Sequence, residues 1–351
     1  MSAHELIPAA DAIPVAWGWL YFLLILTFVL HLLFMNVMLG SAIMAFIHDL
    51  RGKNTAVSRD ISTKLPYTIA FTINLGVAPF LFLQVLYGQF IYTSSVLMAG
   101  YWLSAVGLLI LLYYSAYIYD FRFDKMPGSR TFFIGLSVIL GLIVAFLFVN
   151  NMTLMLRPET WSEYFANRSG TILNLGDPML WPRYLHFIVA SVAVAGLFQA
   201  LMAKLRPALP DREKRIDQGM KWFTYATVLQ IIIGFWFLIS LPKEVMLSFM
   251  GASGLNTTIF LLGLAAAVFS LAFGFTRRVW PTTATIAATI VLMALMRDLV
   301  RVEFLRPYFH PSDLKLIPQY SPMIVFFIAL VLGLGLVAYM LNLAAKTGKE
   351  G

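Results

Sequence analysis

Nine separate stretches of this 351-residue chain are apolar over about twenty residues or more, which confines the fold to helices that cross a membrane. A spanning helix needs roughly 20 mostly apolar residues, because each contributes about 1.5 Å toward a hydrocarbon core about 30 Å thick. The expected spans lie near 16–49, 66–97, 101–121, 131–156, 180–205, 218–241, 257–275, 280–305 and 322–345. The first exceeds one bilayer thickness, so tilt or extension into the headgroups is expected. The joints at 50–65, 122–130, 206–217, 242–256, 276–279 and 306–321 are short and polar, without room for a soluble domain. Residues 1–15 lack a basic stretch followed by a cleavage site, so no signal peptide is read there. The expected fold is an all-α polytopic membrane protein.

Composition narrows the chemistry. Hydrophobic residues make up 60% and charged residues 12%, mean hydropathy is +0.82, and there is no Cys. These values exclude a soluble globular enzyme and a disulfide scaffold. They also exclude thiolate metal sites, iron–sulfur clusters and covalently attached c-type haem, all of which need Cys.

The net charge of +8 becomes informative once the basic residues are sorted by joint. About 17 of the 25 Lys and Arg fall on one side, at Arg51–Lys64, Arg122–Arg130, Lys204–Lys221, Arg277–Arg278 and Lys346–Lys349. The other side holds Arg157, Arg168, Arg183, Lys243, Arg297, Arg301, Arg306 and Lys315. The positive-inside rule makes the first side cytoplasmic, with the N-terminus outside and the C-terminus inside. The basic excess is then topological rather than a sign of nucleic-acid binding. A bacterial cytoplasmic (inner) membrane, crossed many times, is the expected location.

Two spans resemble each other. Leu30-His31 opens a run ending at Leu50-Arg51, and Leu185-His186 opens one ending at Leu205-Arg206. Ala45 falls on Ala200 at the same offset. The fourth and eighth spans both end in Leu-Arg-Pro, at 156–158 and 305–307. Either two related four-helix units are present or apolar helices match by chance. The first case divides the chain into an outer segment 1–15, a unit 16–160, an outer interfacial segment 161–179, a unit 180–307, and an outer loop with the ninth helix at 308–351. His31 and His186 each lie about twenty residues, or roughly 30 Å of helix, before the inner Arg, which puts both in the outer half.

Of five His, only His31 and His186 lie well inside spans. An ionisable residue there is expensive and suggests a functional site. Such a residue is either a neutral hydrogen-bonding group between helices or an axial haem ligand. Met293 and Met296 share the depth of His186 and are either core filler or thioether ligands. Arg297 and Arg301 follow Met296, and Arg183 precedes His186 by three residues on the same helix face. These arginines suit haem propionates, through charged bidentate hydrogen bonds, or else act as snorkelling anchors. Met152 and Met155 are candidate partners for His31. Spans two, three, four, seven and nine carry no central Asp or Glu, which argues against proton pumping. The polar residues inside spans are instead Asn36, Asn74, Gln84, Asn150, Asn151 and Gln230. Trp161, Tyr164, Phe165, Trp181 and Tyr184 mark either an amphipathic interfacial helix or an aromatic pocket for a quinone headgroup.

Several of these runs resemble subunit I of the cytochrome bd quinol oxidases. They are Leu30-His31 to Gly40, Lys64-Leu65-Pro66 to Asn74-Leu75-Gly76, Val149-Asn150-Asn151-Met152, Asp177-Pro178 to Tyr184-Leu185-His186, and, more loosely, Met296 to Pro307. The resemblance implies His186 and Met296 as the axial ligands of a low-spin haem b. It implies His31 as the ligand of a second haem, in the position that serves the oxygen-reducing pair. The chain departs from the family pattern at Gln84, where the family has Glu, and in span nine, which lacks a ligating Glu. The segment 242–256 is short where the family has its long quinol loop, and retains Lys243 and Glu244 as charged residues. These departures weaken oxygen reduction and leave the low-spin site.

The expected function is therefore a haem b-containing membrane subunit, with one or two haems, of a respiratory complex. It would exchange electrons between membrane quinol or menaquinol and a periplasmic cytochrome c, as a quinol oxidoreductase subunit. The expected partners are a multihaem cytochrome c, further membrane subunits, lipid and quinone. Lys243, Glu244 and Trp181 are the quinol candidates. A diverged oxygen-reducing bd-type oxidase and a haem-free transporter or membrane anchor are the alternatives.

Overall fold

A computed structural model describes residues 2–125 and 128–347. Lys349, counted above in the basic rim, lies outside the described residues. Among them, nine helices are long and apolar enough to cross a membrane. They are α1 (Trp17–Leu50), α2 (Leu65–Leu97), α3 (Ala99–Phe121), α4 (Arg130–Met155), α5 (Leu180–Lys204), α6 (Arg212–Ser240), α7 (Gly254–Phe275), α8 (Val279–Leu305) and α9 (Tyr320–Thr347). The only β-type pairing among the described residues is an isolated bridge between Ile13 and Leu316. The protein is an all-α, multi-pass membrane protein, with span limits within a few residues of those expected except at the start of α6.

Three joints carry structure that hydropathy did not signal. The joint after α1 holds a helix at Thr55–Ser62. Lys243–Leu247 form a short helix that runs into a wide turn at Ser248–Ala252, closed by Gly251 at φ +121°. In the aromatic segment after α4, Pro158–Phe165 wind as a short 3-10 helix. Trp161 is only 2% exposed, and its indole N–H donates to the Leu154 carbonyl at 2.9 Å. That ring packs against Phe90 and ties the segment to the bundle, while Phe165 and Trp181 stay exposed.

Short joints force antiparallel neighbours, and α3 packs on α4, α5 on α6, and α7 on α8. The first helix is central, touching α2, α4, α5 and α8. Its crossing with α5 is tight at Gly40. A Cβ built on Gly40 would lie 2.7 Å from the Ala195 Cβ and would also overlap the Ser191 carbonyl. Small residues at such crossings let helices gain dispersion contacts where lipid supplies no hydrophobic drive. Ala45, Ile61 and Leu65 are buried in one apolar cluster, and Ala200, Ile216 and Met220, each 155 positions later, are buried in another.

Polar groups are paired across helices. At the basic end, the Tyr119 hydroxyl donates to Asp49 Oδ2 at 2.9 Å, and Arg130 Nε lies 3.6 Å from the same oxygen. At the other end, Asn151 accepts from Ser94 and donates to Ser95 at 3.0 Å, while Asn150 Oδ1 accepts from the Asn174 backbone N–H at 3.0 Å. Asn74, expected among the interhelical polar residues, is instead exposed and donates to the carbonyl of Ala70 one turn back, at 2.9 Å. The ninth helix stands apart: none of its most apolar stretch is buried, and Met323 near its start packs against the apolar core.

Candidate functional site

Two cavities lie on either side of α1 within the bundle, with His31, His186 and Arg297 in the half of the spans away from the basic joints. The first, of about 370 Å³, is lined from α1 to α5 and from α8, and contains His31, Met152, Arg183, Arg297 and Arg301. The second, of about 250 Å³, is lined from α1 and α5 to α8 and contains His186, Met293, Met296 and Arg297. Leu32, Phe187 and Arg297 belong to both and form the shared wall. Both linings are otherwise dominated by aliphatic and aromatic side chains, as ligand pockets between helices usually are.

Each histidine is seated on a glycine of the next long helix. A Cβ on Gly76 of α2 would lie 2.9 Å from His31 Cε1 and Nδ1, and one on Gly234 of α6 would lie 3.4 Å from His186 Cε1. Met296 has a similar seat, with its Cε 2.8 Å from a Cβ built on Gly263 of α7. Space for these side chains is thus made by the absence of a methyl group on the facing helix.

The histidines differ in their second contact. His31 Nδ1 lies 3.0 Å from the Thr72 carbonyl oxygen. A carbonyl only accepts, so Nδ1 carries the proton and Nε2 keeps its lone pair, in a ring that lines the cavity. This is the arrangement by which metal-binding histidines are usually held. His186 Nδ1 is buried and meets no partner.

The arginines carry the charge. Arg301 pairs with Asp298, and its guanidinium lies 5.1 Å from the centre of the Tyr87 ring. The backbone of α2 leaves helical geometry at Tyr87 (φ −136°), where that ring is packed. Arg183 and Arg297 meet no carboxylate among the described residues. Arg183 Nη1 and Arg297 Nε are buried without a hydrogen-bond partner, and Arg297 rests over Phe28 at 4.3 Å. Asp177 and Asp298 act on these two cations only from beyond ion-pair distance, so the cost of burying them is incompletely offset.

Most of the expected site residues converge, with some redistribution. Arg183, expected beside His186 from its spacing, lines the His31 cavity, with its guanidinium 5.9 Å from the ring of Phe237, which lines the other. Met152 lines that cavity too, whereas Met155 is fully buried in the adjoining apolar core. Met293 and Met296 both line the His186 cavity. The quinol candidates sit on separate elements: Trp181 packs against Phe146 and Tyr184, while Lys243 and Glu244 open the short helix after α6 and are exposed. Residues missed by the sequence reading are Thr72, whose role is carried by its carbonyl, and the seats Gly76, Gly234 and Gly263. A glycine one turn after a threonine in an apolar span was the available signal. Among the described residues, no group of three or more His, Asp or Glu could hold a bare metal ion. The chain matches no protein-family model, and no curated protein shows significant similarity to it.

Proposed function

We propose that this chain is the haem b-carrying membrane subunit of a respiratory electron-transfer complex. It exchanges electrons between membrane quinol and a cytochrome c partner at the outer face, and is related to subunit I of the bd oxidases. The observation that carries this reading is Arg183 and Arg297, buried without an ion-paired carboxylate among the described residues and lining two cavities that each offer one imidazole and thioether sulfurs. A haem brings what those walls lack: two carboxylates for the arginines and an iron for the imidazole.

When bound, haem b supplies a one-electron iron couple. The residues account for the rest. His186 with Met296, or Met293 in its place, would hold one haem iron. His31, oriented by the Thr72 carbonyl, would hold a second, with Met152 lining the same cavity. Arg297, in the shared wall, offers its guanidinium to either side. The aliphatic and aromatic lining excludes water and keeps these contacts strong. With the basic joints toward the cytoplasm under the positive-inside rule, His31, His186 and Arg297 would lie in the outer half of the spans, toward a cytochrome partner at that face.

The test is a pyridine haemochrome assay on the purified protein, with His186→Ala and His31→Ala beside it. Two b-type haems per chain, each lost with one histidine, support the assignment. A purified, folded protein without b-type haem overturns it.

A further inference from the structure

A third cluster of chemistry lies far from both cavities, at the Lys/Arg-rich end. Lys64, Arg206 and Arg215 converge there on a small pocket between α1, α5, α6 and the Thr55–Ser62 helix. One carboxylate, Asp60, lines the same pocket and pairs with Arg215. Lys64 and Arg206 meet no carboxylate among the described residues. Burial, together with Arg206 and Arg215 nearby, holds the Lys64 ammonium below its ordinary pKa, against the opposing pull of Asp60. Positive charge is thus in excess.

His48 adds a donor. Its ring is 3% exposed, and its Nε2 lies 3.1 Å from the Gln218 side-chain nitrogen, which donates to it. The ring proton is then on Nδ1, which is buried without a partner while the residue lines the pocket.

Gln218 also begins a second feature. An open apolar groove runs along α5 and α6 past Trp222, Val192 and Leu229, with Lys221 near its mouth. The groove follows the helices from the basic end toward the middle of the spans. Cations at a helix end, beside an apolar groove that shares Gln218 with their pocket, match an acidic headgroup with an acyl chain attached.

We infer that the pocket and groove form a binding site for one anionic phospholipid, its phosphate held by Lys64, Arg206 and His48 and an acyl chain lying along Trp222 and Leu229. The site is independent of haem and of the proposed redox role.

Thermal unfolding of the full-length protein in detergent tests it, with phosphatidylglycerol, phosphatidylcholine or inorganic phosphate added. Phosphatidylglycerol raises the midpoint saturably, and the other two do not. Arg206→Gln, which removes an exposed side chain and so leaves the fold intact, weakens the response by roughly fivefold in lipid concentration. Lys64→Gln adds a similar factor, and Lys64→Arg restores it. An equal response to phosphatidylcholine, or an unchanged response in Arg206→Gln, overturns the proposal. A shift reproduced by inorganic phosphate alone overturns the lipid assignment in favour of a free-anion site. Haem content is unchanged throughout, so this test and the haemochrome assay fail separately.

Discussion

Gly40 and Ala195 meet where α1 crosses α5, with a Cβ on Gly40 only 2.7 Å from the Ala195 Cβ. The two positions are 155 residues apart, the separation that also relates His31 to His186. A residue touching its own counterpart is what a two-fold relation between two units produces at its axis. Each unit then places a histidine over a glycine of its following long helix.

The crossing sets a stability prediction. Gly40→Ala drives a methyl group into the Ser191 carbonyl, which cannot yield without moving α5. The expected cost is about 1–3 kcal/mol, typical of overpacking. Gly107→Ala is the control, because its new Cβ meets nothing within 4 Å. Thermal unfolding in detergent compares them, and equal midpoints would remove the crossing as a tight contact.

The seat of His31 sets a spectroscopic one. Gly76→Ala places a methyl 2.9 Å from the ring and pushes it off the Thr72 carbonyl. Iron bound through His31 should then lose intensity or change spin state, while the His186 signal persists. Optical and EPR spectra of the two sites read this directly, and two unchanged signals would separate Gly76 from the function of His31.

Arg297 makes opposite predictions for loaded and empty protein. With a bound carboxylate, Arg297→Leu breaks a buried pair and costs about 3–5 kcal/mol in the loaded form. Without one, the same change removes an unpartnered buried cation and stabilises the chain. Loss of a positive charge near iron also lowers its midpoint potential, since the cation favours the reduced form. Stabilisation by Arg297→Leu in protein purified with its full cofactor complement would count against propionate binding.

The thioether ligand is distinguished by single variants. Met296→Ala should raise the high-spin fraction at the His186 site, or lower the potential if another ligand replaces it. Met293→Ala should leave the spectrum intact. The reverse result assigns Met293, which lines the same cavity.

At the basic end, Asp49→Ala removes the acceptor of the Tyr119 hydroxyl and the carboxylate beside Arg130. The Asp49 side chain is wholly buried, so about 3–5 kcal/mol of stability should be lost with haem content per folded chain unchanged. A loss of haem in the folded fraction would instead tie this network to the cavities.

Much of this molecule was legible before any coordinates. Hydropathy alone delimited nine spans, because a segment that cannot solvate its backbone in lipid must be a helix of a set length. The rarity of ionisable residues inside spans singled out His31, His186, Arg297 and Arg301, because each is too costly to keep there without a use. What the sequence could not contain was direction around the helix axis between partners. That decided that Arg183 lines the His31 cavity rather than that of His186, and that Arg297 belongs to both. It also decided that Met152 lines a cavity while Met155 is core, that Asn74 faces outward, and that the Thr72 carbonyl holds an imidazole. Spans are written in one chain's own transfer energies, whereas the site depends on which faces of several helices are brought together, and only their packing settles that.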